Sequence, residues 1–501
     1  MRLVHATAAV ALVAAIGCAT SAAFVCPARG GPAWRDIASD HFVVRTDLEV
    51  EEASRLLARL ERLHTAVVAA LFDEVPAPRA AVEVVAFRTD AEYRAFAPPG
   101  VDAYYLRSAG GPPRIVLSGR LDLRQRAMLA HELTHHDLSS VFVHQPRWFS
   151  EGLATLMETV GDEADGPLIA VGKPPGARLT RLRNGAPRVT TRELLGWDGG
   201  PSVTHPAVDY YGASWLLVHF LAYRMPDRFN DLQRRLVRGE PPDAAWRGAF
   251  PEWDPGRPRA LEALDLALEV YLGAEAQLRY RQVPETWRGE PAIRLIPPAE
   301  VHAIRLALWN QGPSKGVATL RAELDETLSE DADHPLALQR KATLTGEPPL
   351  PLARRSVRSH PDDPRAWTFL AGALKGEAHD VERLLAYRTA ATLADGNAAA
   401  LYNLAIELLA QGRSGEALPV AREAVRLAPW SPPLLDGYAS VLVDLGLCAQ
   451  AIDVQLRALE VMPARSDEAA RQALKDRLGQ LRVHCRLAPP PSPPPSLPSA
   501  G

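Results

Sequence analysis

The sequence predicts an α+β domain followed by an all-α superhelix of stacked helix pairs. Two observations lead to that fold class. Between residues 33 and 275, short apolar runs with strand character exchange with amphipathic helical stripes. From residue 364 onward, Trp367, Leu401 and Leu435 recur every 34 residues, as do Leu370, Leu404 and Tyr438, and Ala390, Ala424 and Ala458. A fixed period of that length is one supersecondary unit repeated. A third observation says where the chemistry lies: Leu129-Ala130-His131-Glu132-Leu133-Thr134-His135 sets two histidines four residues apart in a helical run.

Residues 1–23 read as an export signal. Arg2 supplies the positive start, Ala8 to Ile16 the apolar core, and small residues run through Ala23. The apolar run is short for a membrane span. Cleavage after Ala23 would start the mature chain at Phe24. Alternatively, Ala15-Ile16-Gly17-Cys18 is similar to a bacterial lipobox, which ends the signal at residue 17 and gives Cys18 a lipid anchor. An uncleaved signal anchor is a third route. Each makes this an exported protein of a bacterial periplasm or cell envelope.

His41-Phe42-Val43-Val44-Arg45-Thr46 reads as a strand, followed by a helix whose stripe is Leu56, Leu60, Leu63, Val67 and Leu71. Ala81 to Phe87 is a second strand, and Asp90 caps a short helix. Tyr104–Leu106 and Arg114–Ser118 form a hairpin. Helices over 123–138 and 149–159 follow. Residues 161–206, rich in Gly, Pro and Arg, read as loops with one short helix at Thr191–Leu195. Helices then run over 211–225, 227–239 and 258–273. A net charge of −4 gives no reason to expect nucleic acid as a partner.

On a helix, His131 and His135 project from one face and can reach the same metal ion, with Glu132 at the flank of the pair. A catalytic zinc needs three protein ligands and an open position. In the metzincin pattern a Gly and a His stand three and six places after the second His; here those places hold Leu138 and Val141. Asp137 is two residues past His135, on the wrong side of the helix. Glu151, in Trp148-Phe149-Ser150-Glu151-Gly152-Leu153-Ala154, opens a second helical run and is the candidate third ligand. The competing reading is a surface helix with two solvated histidines.

With these two motifs, residues 33–275 resemble the peptidase MA-like, gluzincin-type zinc metallopeptidases of bacteria, most closely at 129–154. The resemblance implies a zincin-like fold, one Zn2+ per chain on His131, His135 and Glu151, Glu132 as general base, and a peptide or protein substrate. It also implies that strand 114–118 lies along the cleft and pairs with substrate. Tyr210-Tyr211-Gly212-Ala213-Ser214-Trp215 is similar to a Tyr-bearing segment of these enzymes. It makes Tyr211, with Tyr210 in reserve, a candidate donor to the oxyanion; packing aromatics at a helix start are the alternative. Two departures stand out: the 16-residue step from His135 to Glu151 is short, and Thr155 stands where an Asp often supports the site.

The 34-residue period, with Gly412 and Gly446, Ala417 and Ala451, and Pro429 and Pro463 in register, is the tetratricopeptide signature. Three units occupy 364–465, with a capping helix over 466–486. Residues 276–363 read as a helical linker with a degenerate unit at 316–363. Such arrays hold peptides or partner proteins, or serve as a spacer. Cys448 and Cys485 can form a disulfide in an oxidising compartment. The Pro/Ser-rich stretch 487–501 reads as an unfolded tail. The rival to a peptidase is an envelope scaffold that keeps the peptidase fold only as structure.

Overall fold

A computed structural model describes residues 24–487, except for 73–80, 99–100, 107–110, 120, 161–166, 185–187, 199–204, 275–276, 285–286, 288, 312–316 and 463–467. Residues 1–23, with Cys18, and residues 488–501, where an export signal and an unfolded tail are expected, lie outside the described residues. No described helix is long and apolar enough to cross a membrane.

The first part of the chain runs β1 (Arg35–Ala38), β2 (Phe42–Thr46), α1 (Val50–Leu71), β3 (Val82–Ala86), α2 (Asp90–Phe96), β4 (Ala103–Leu106), β5 (Arg114–Leu117), α3 (Leu123–Val141) and α4 (Arg147–Met157). It continues through β6 (Leu168–Val171), α5 (Gly176–Asn184), α6 (Thr191–Leu195), α7 (Ala207–Arg224), α8 (Pro226–Val237), α9 (Pro242–Ala249), α10 (Ala260–Gly273), β7 (Arg279–Gln282), β8 (Ala292–Leu295) and α11 (Pro298–Gln311).

Six strands form one sheet in the order β4-β5-β3-β2-β1-β8. Its register aligns Ile37, Val44, Val84 and Ile115 across four strands. Because side chains alternate along a strand, this row points to one face, where it packs under α1 and α3 in the main core. Val85 and Val116, one residue on, point to the other face and pack with Phe87 and Phe96 against Val301, Ile304 and Leu308 of α11. The stripe read on α1 is that helix's buried face: Leu56, Leu60, Leu63 and Val67 are buried.

Four expectations are corrected. Thr89, not Asp90, caps α2, its hydroxyl accepting from the Glu92 N–H. The stretch 161–206 holds a strand, β6, and a helix, α5, besides α6. The strand at 114–118 is internal, between β3 and β4, so its edges are taken, and among the described residues the outer edge on that side belongs to β4. The boundary at residue 275 is too early, because β8 pairs with β1 and α11 covers the back of the sheet.

Helices then stack as α12 (Val317–Glu330), α13 (Pro335–Thr345), α14 (Pro349–Ser359), α15 (Pro364–Ala373), α16 (Asp380–Leu393), α17 (Ala398–Ala410), α18 (Ser414–Leu427), α19 (Pro432–Asp444), α20 (Cys448–Glu460) and α21 (Glu468–Leu487). The pairs α15/α16, α17/α18 and α19/α20 are the three repeat units. Ala390, Ala424 and Ala458 are buried where helices touch. Gly412 and Gly446 turn between paired helices at φ +69° and +73°, where a side chain would be strained. Cys448 and Cys485 form a disulfide that ties α20 to α21, with Cα atoms 5.6 Å apart. The C-terminal part is thus a tetratricopeptide-like superhelix.

Candidate metal centre

Helix α3 begins with a capping box. Asp122 accepts from the Gln125 N–H, and the Gln125 side chain accepts from the Asp122 N–H, which satisfies donors that a helix start leaves open. Gln125 also donates to the Asp102 carbonyl at 2.9 Å, which fastens α3 beside β4. Further along the helix, His131 and His135 share a face, as their spacing requires.

Helix α4 crosses this face and brings Glu151 into it. Close approach behind α4 depends on Gly152, where a Cβ would lie 2.4 Å from Val218 Cγ2 and 2.6 Å from the Ser214 carbonyl oxygen of α7. Glu151 is buried, and its Oε2 lies 3.3 Å from His131 Nε2 and 3.2 Å from His135 Nε2, while the two Nε2 atoms are 3.2 Å apart. Three donor atoms therefore form a near-equilateral triangle. Zinc–ligand bonds of about 2.0–2.1 Å in a tetrahedron give ligand–ligand edges of about 3.3–3.4 Å. The donor set and its spacing fit that ion.

The charge balance fits as well. Glu158 accepts from His131 Nδ1 at 3.0 Å. A carboxylate can only accept, so that nitrogen carries a proton, and with a metal bound the other nitrogen, Nε2, would turn its lone pair to the centre. Burial disfavours a charged His131, yet Glu151 and Glu158 outweigh it and raise its pKa to about 10. Burial would raise Glu151 too, but His135 and His131 hold it well below the usual carboxylate range. The imidazoles and the carboxylate thus stabilise each other's charged forms.

Glu132 is half-buried beside the pair and close enough to contribute to the rise at His131. The ring of Tyr211 stands edge-on to that of His131, centroids 6.2 Å apart. Tyr210 is buried and stacked on Trp197 at 4.8 Å, which makes it a packing residue. Thr155 is fully buried and supports no ligand; its hydroxyl has no partner among the described residues.

Two supporting residues escaped the sequence reading. Glu158 lies seven residues after Glu151, two helical turns along the same face. Arg147 lies one turn before it and donates from Nη1 to Glu151 Oε1 at 3.3 Å. Both spacings are visible in the sequence, but which His or Glu they serve depends on how α3 and α4 cross.

A second group of donors, His41, Glu61 and His64, gathers at α1. Its carboxylate is already engaged: Glu61 accepts from Ser39 Oγ at 2.6 Å, the His41 N–H at 3.1 Å and His41 Nδ1 at 2.8 Å. His64 Nε2 meets Asp137 Oδ1 at 3.2 Å. This network fastens α1 to α3 and gives Asp137 its place.

No family model matches the sequence, and no curated protein matches it. Among solved structures, the chain is similar to a tetratricopeptide protein of Thermus thermophilus, at 16% identity over 37% of this chain and 97% of that one, TM-score 0.30. It is similar to the type IV pilus biogenesis factor PilW at 14% identity, 38% and 87% coverage, TM-score 0.31. YrrB, a tetratricopeptide protein with an unusual peptide-binding site, matches at 14% identity, 36% and 91% coverage, TM-score 0.27. These matches span only part of the chain, and at such scores they carry no argument about function.

Proposed function

We propose that this protein is an exported zinc metallopeptidase whose repeat array recruits a substrate or partner protein. The observation that carries the reading is the triangle of His131, His135 and Glu151 donors with Glu132 beside it. A zinc ion held there supplies Lewis acidity toward water and the scissile carbonyl.

The remaining roles belong to the chain itself. Glu132 takes a proton from the attacking water and returns it to the leaving amine. The Tyr211 hydroxyl donates to the carbonyl oxygen as negative charge grows on it. Glu158 keeps the proton of His131 on Nδ1. An extended peptide adds to the edge of β4, its backbone supplying affinity with little sequence selectivity. Export is supported by the leader sequence and by the Cys448–Cys485 disulfide, a bond suited to an oxidising compartment.

A second reading is a non-catalytic envelope scaffold, favoured by the length of the repeat array. Zinc content and peptide hydrolysis of the mature chain separate the two. Glu132→Gln should keep about one zinc and lose about 10²–10⁴-fold in turnover, whereas Glu151→Ala should lose the metal. Bound zinc without hydrolysis of any peptide would leave the scaffold; folded protein that takes up no zinc would sink the metal centre.

A further inference from the structure

We propose that Arg147 is a positioning residue for Glu151 and that the repeat array holds it in place, making the last repeat unit a wall of the metal centre. The proposal rests on the reading of Glu151 as a metal ligand. Arg147 is the first residue of α4, and its side chain is buried. One nitrogen of its guanidinium, Nη1, donates to Glu151 Oε1, and the other, Nη2, donates to the backbone carbonyl of Met462, just past the end of α20.

The carboxylate of Glu151 is thereby divided. Oε1 belongs to Arg147, and Oε2 is left facing the two imidazoles. A planar guanidinium with both ends fixed sets the rotation of that carboxylate as a single-point cation would not. The Met462 carbonyl is a fitting anchor, because the C-terminal end of a helix carries partial negative charge. Should the array move away, Arg147 would keep a buried charge with a bond lost, an arrangement that costs stability.

Independent contacts pin α20 to the same place. The segment joining α3 to α4 also joins the two ligand-bearing helices, and it is gripped at consecutive residues. His144 sits between Asp453, 3.1 Å from Nε2, and Glu460, 3.0 Å from Nδ1; the Gln145 N–H donates to Glu460 at 2.8 Å. On α3 itself, the ring of His136, next to the ligand His135, lies 5.0 Å from that of Trp430, in the turn before α19. The array thus touches the metal helices from behind, where a mere spacer would have no need to reach.

The test uses the full mature chain and reads zinc affinity by competition with a chromogenic chelator, with thermal unfolding of the zinc-free protein alongside. Arg147→Met should weaken zinc binding about 10–100-fold, the range for losing a ligand's support. Arg147→Lys should recover part of it. The double variant Asp453→Ala/Glu460→Ala, which alters no residue of the metal centre, should weaken zinc several-fold. A lowered melting temperature with unchanged zinc affinity in these variants would mean docking alone and would overturn the proposal. If Arg147→Met does not fold, the double variant decides the matter by the same criterion. A wild-type chain that binds no zinc overturns the underlying reading; zinc that is lost in His135→Ala but kept at full affinity in Arg147→Met overturns only this one.

Discussion

Glu158 decides which nitrogen of His131 faces the proposed metal centre. Its carboxylate accepts the Nδ1 proton and leaves Nε2 facing Glu151 and His135. Glu158→Ala frees the ring to turn or to take the other tautomer, and zinc affinity should fall about 10–100-fold. Chelator competition measures it; an unchanged affinity would mean that ring packing alone orients His131. Tyr211 allows a similarly local test. Tyr211→Phe keeps the ring against His131 and Trp197 but removes the hydroxyl. If that hydroxyl meets the developing oxyanion, kcat should drop about 10²-fold with KM little changed. Loss of stability at unchanged kcat would return Tyr211 to packing.

At the scale of elements, the centre depends on how closely α4 can lie against α7, and Gly152 sets that distance. A Cβ there would overlap Val218 and the Ser214 carbonyl, which sit on rigid helix rather than at the end of a flexible side chain. Gly152→Ala should therefore cost about 1–3 kcal/mol, despite the better helix propensity of Ala. Chemical denaturation would show it, and α7 should carry Tyr211 away from His131 with a further loss of activity. A stability equal to wild type would mean that the helices separate freely. The elements legible in the sequence are those with a local signal. His131 and His135 follow helical spacing, α1 shows its stripe, and the repeats show their period. What was not legible depends on distant partners. Strand β8 is four exposed residues whose Ile293-Arg294-Leu295 alternation is too short to stand out, and pairing with β1 makes it a strand. The internal place of β5 follows from β4 occupying its edge, which no property of Arg114–Leu117 reveals. Helix α11 belongs to two structures at once, closing the back of the sheet and beginning the helical stack, so a boundary drawn at a change of pattern falls too early.

Over the whole molecule, the chain leaves the sheet through α11 and returns through α20 and α21 to the far side of α3 and α4. Arg471 donates to the Asp198 carbonyl at 2.7 Å, and Lys475 pairs with the Asp198 carboxylate at 3.1 Å, which adds a second point of return. His144 makes this closure sensitive to pH. Burial disfavours its charged form, but Asp453 and Glu460 outweigh that and raise its pKa to about 9, with the Arg457 guanidinium facing the same two carboxylates. A group whose pKa is raised on folding adds stability that is fully present below its unfolded value, near 6.5, and is lost as pH climbs through the folded one. Docking of the array should accordingly be firmest at about pH 6 and weaken toward pH 9 and above. Thermal unfolding of the wild type and His144→Gln across that range measures it. The groups around His131 are the same in both proteins, so the difference between their curves isolates His144. That difference should shrink steadily between pH 6.5 and 9. A difference independent of pH would show that His144 docks as a neutral ring, and that hydrogen bonding rather than charge holds the array against α3 and α4.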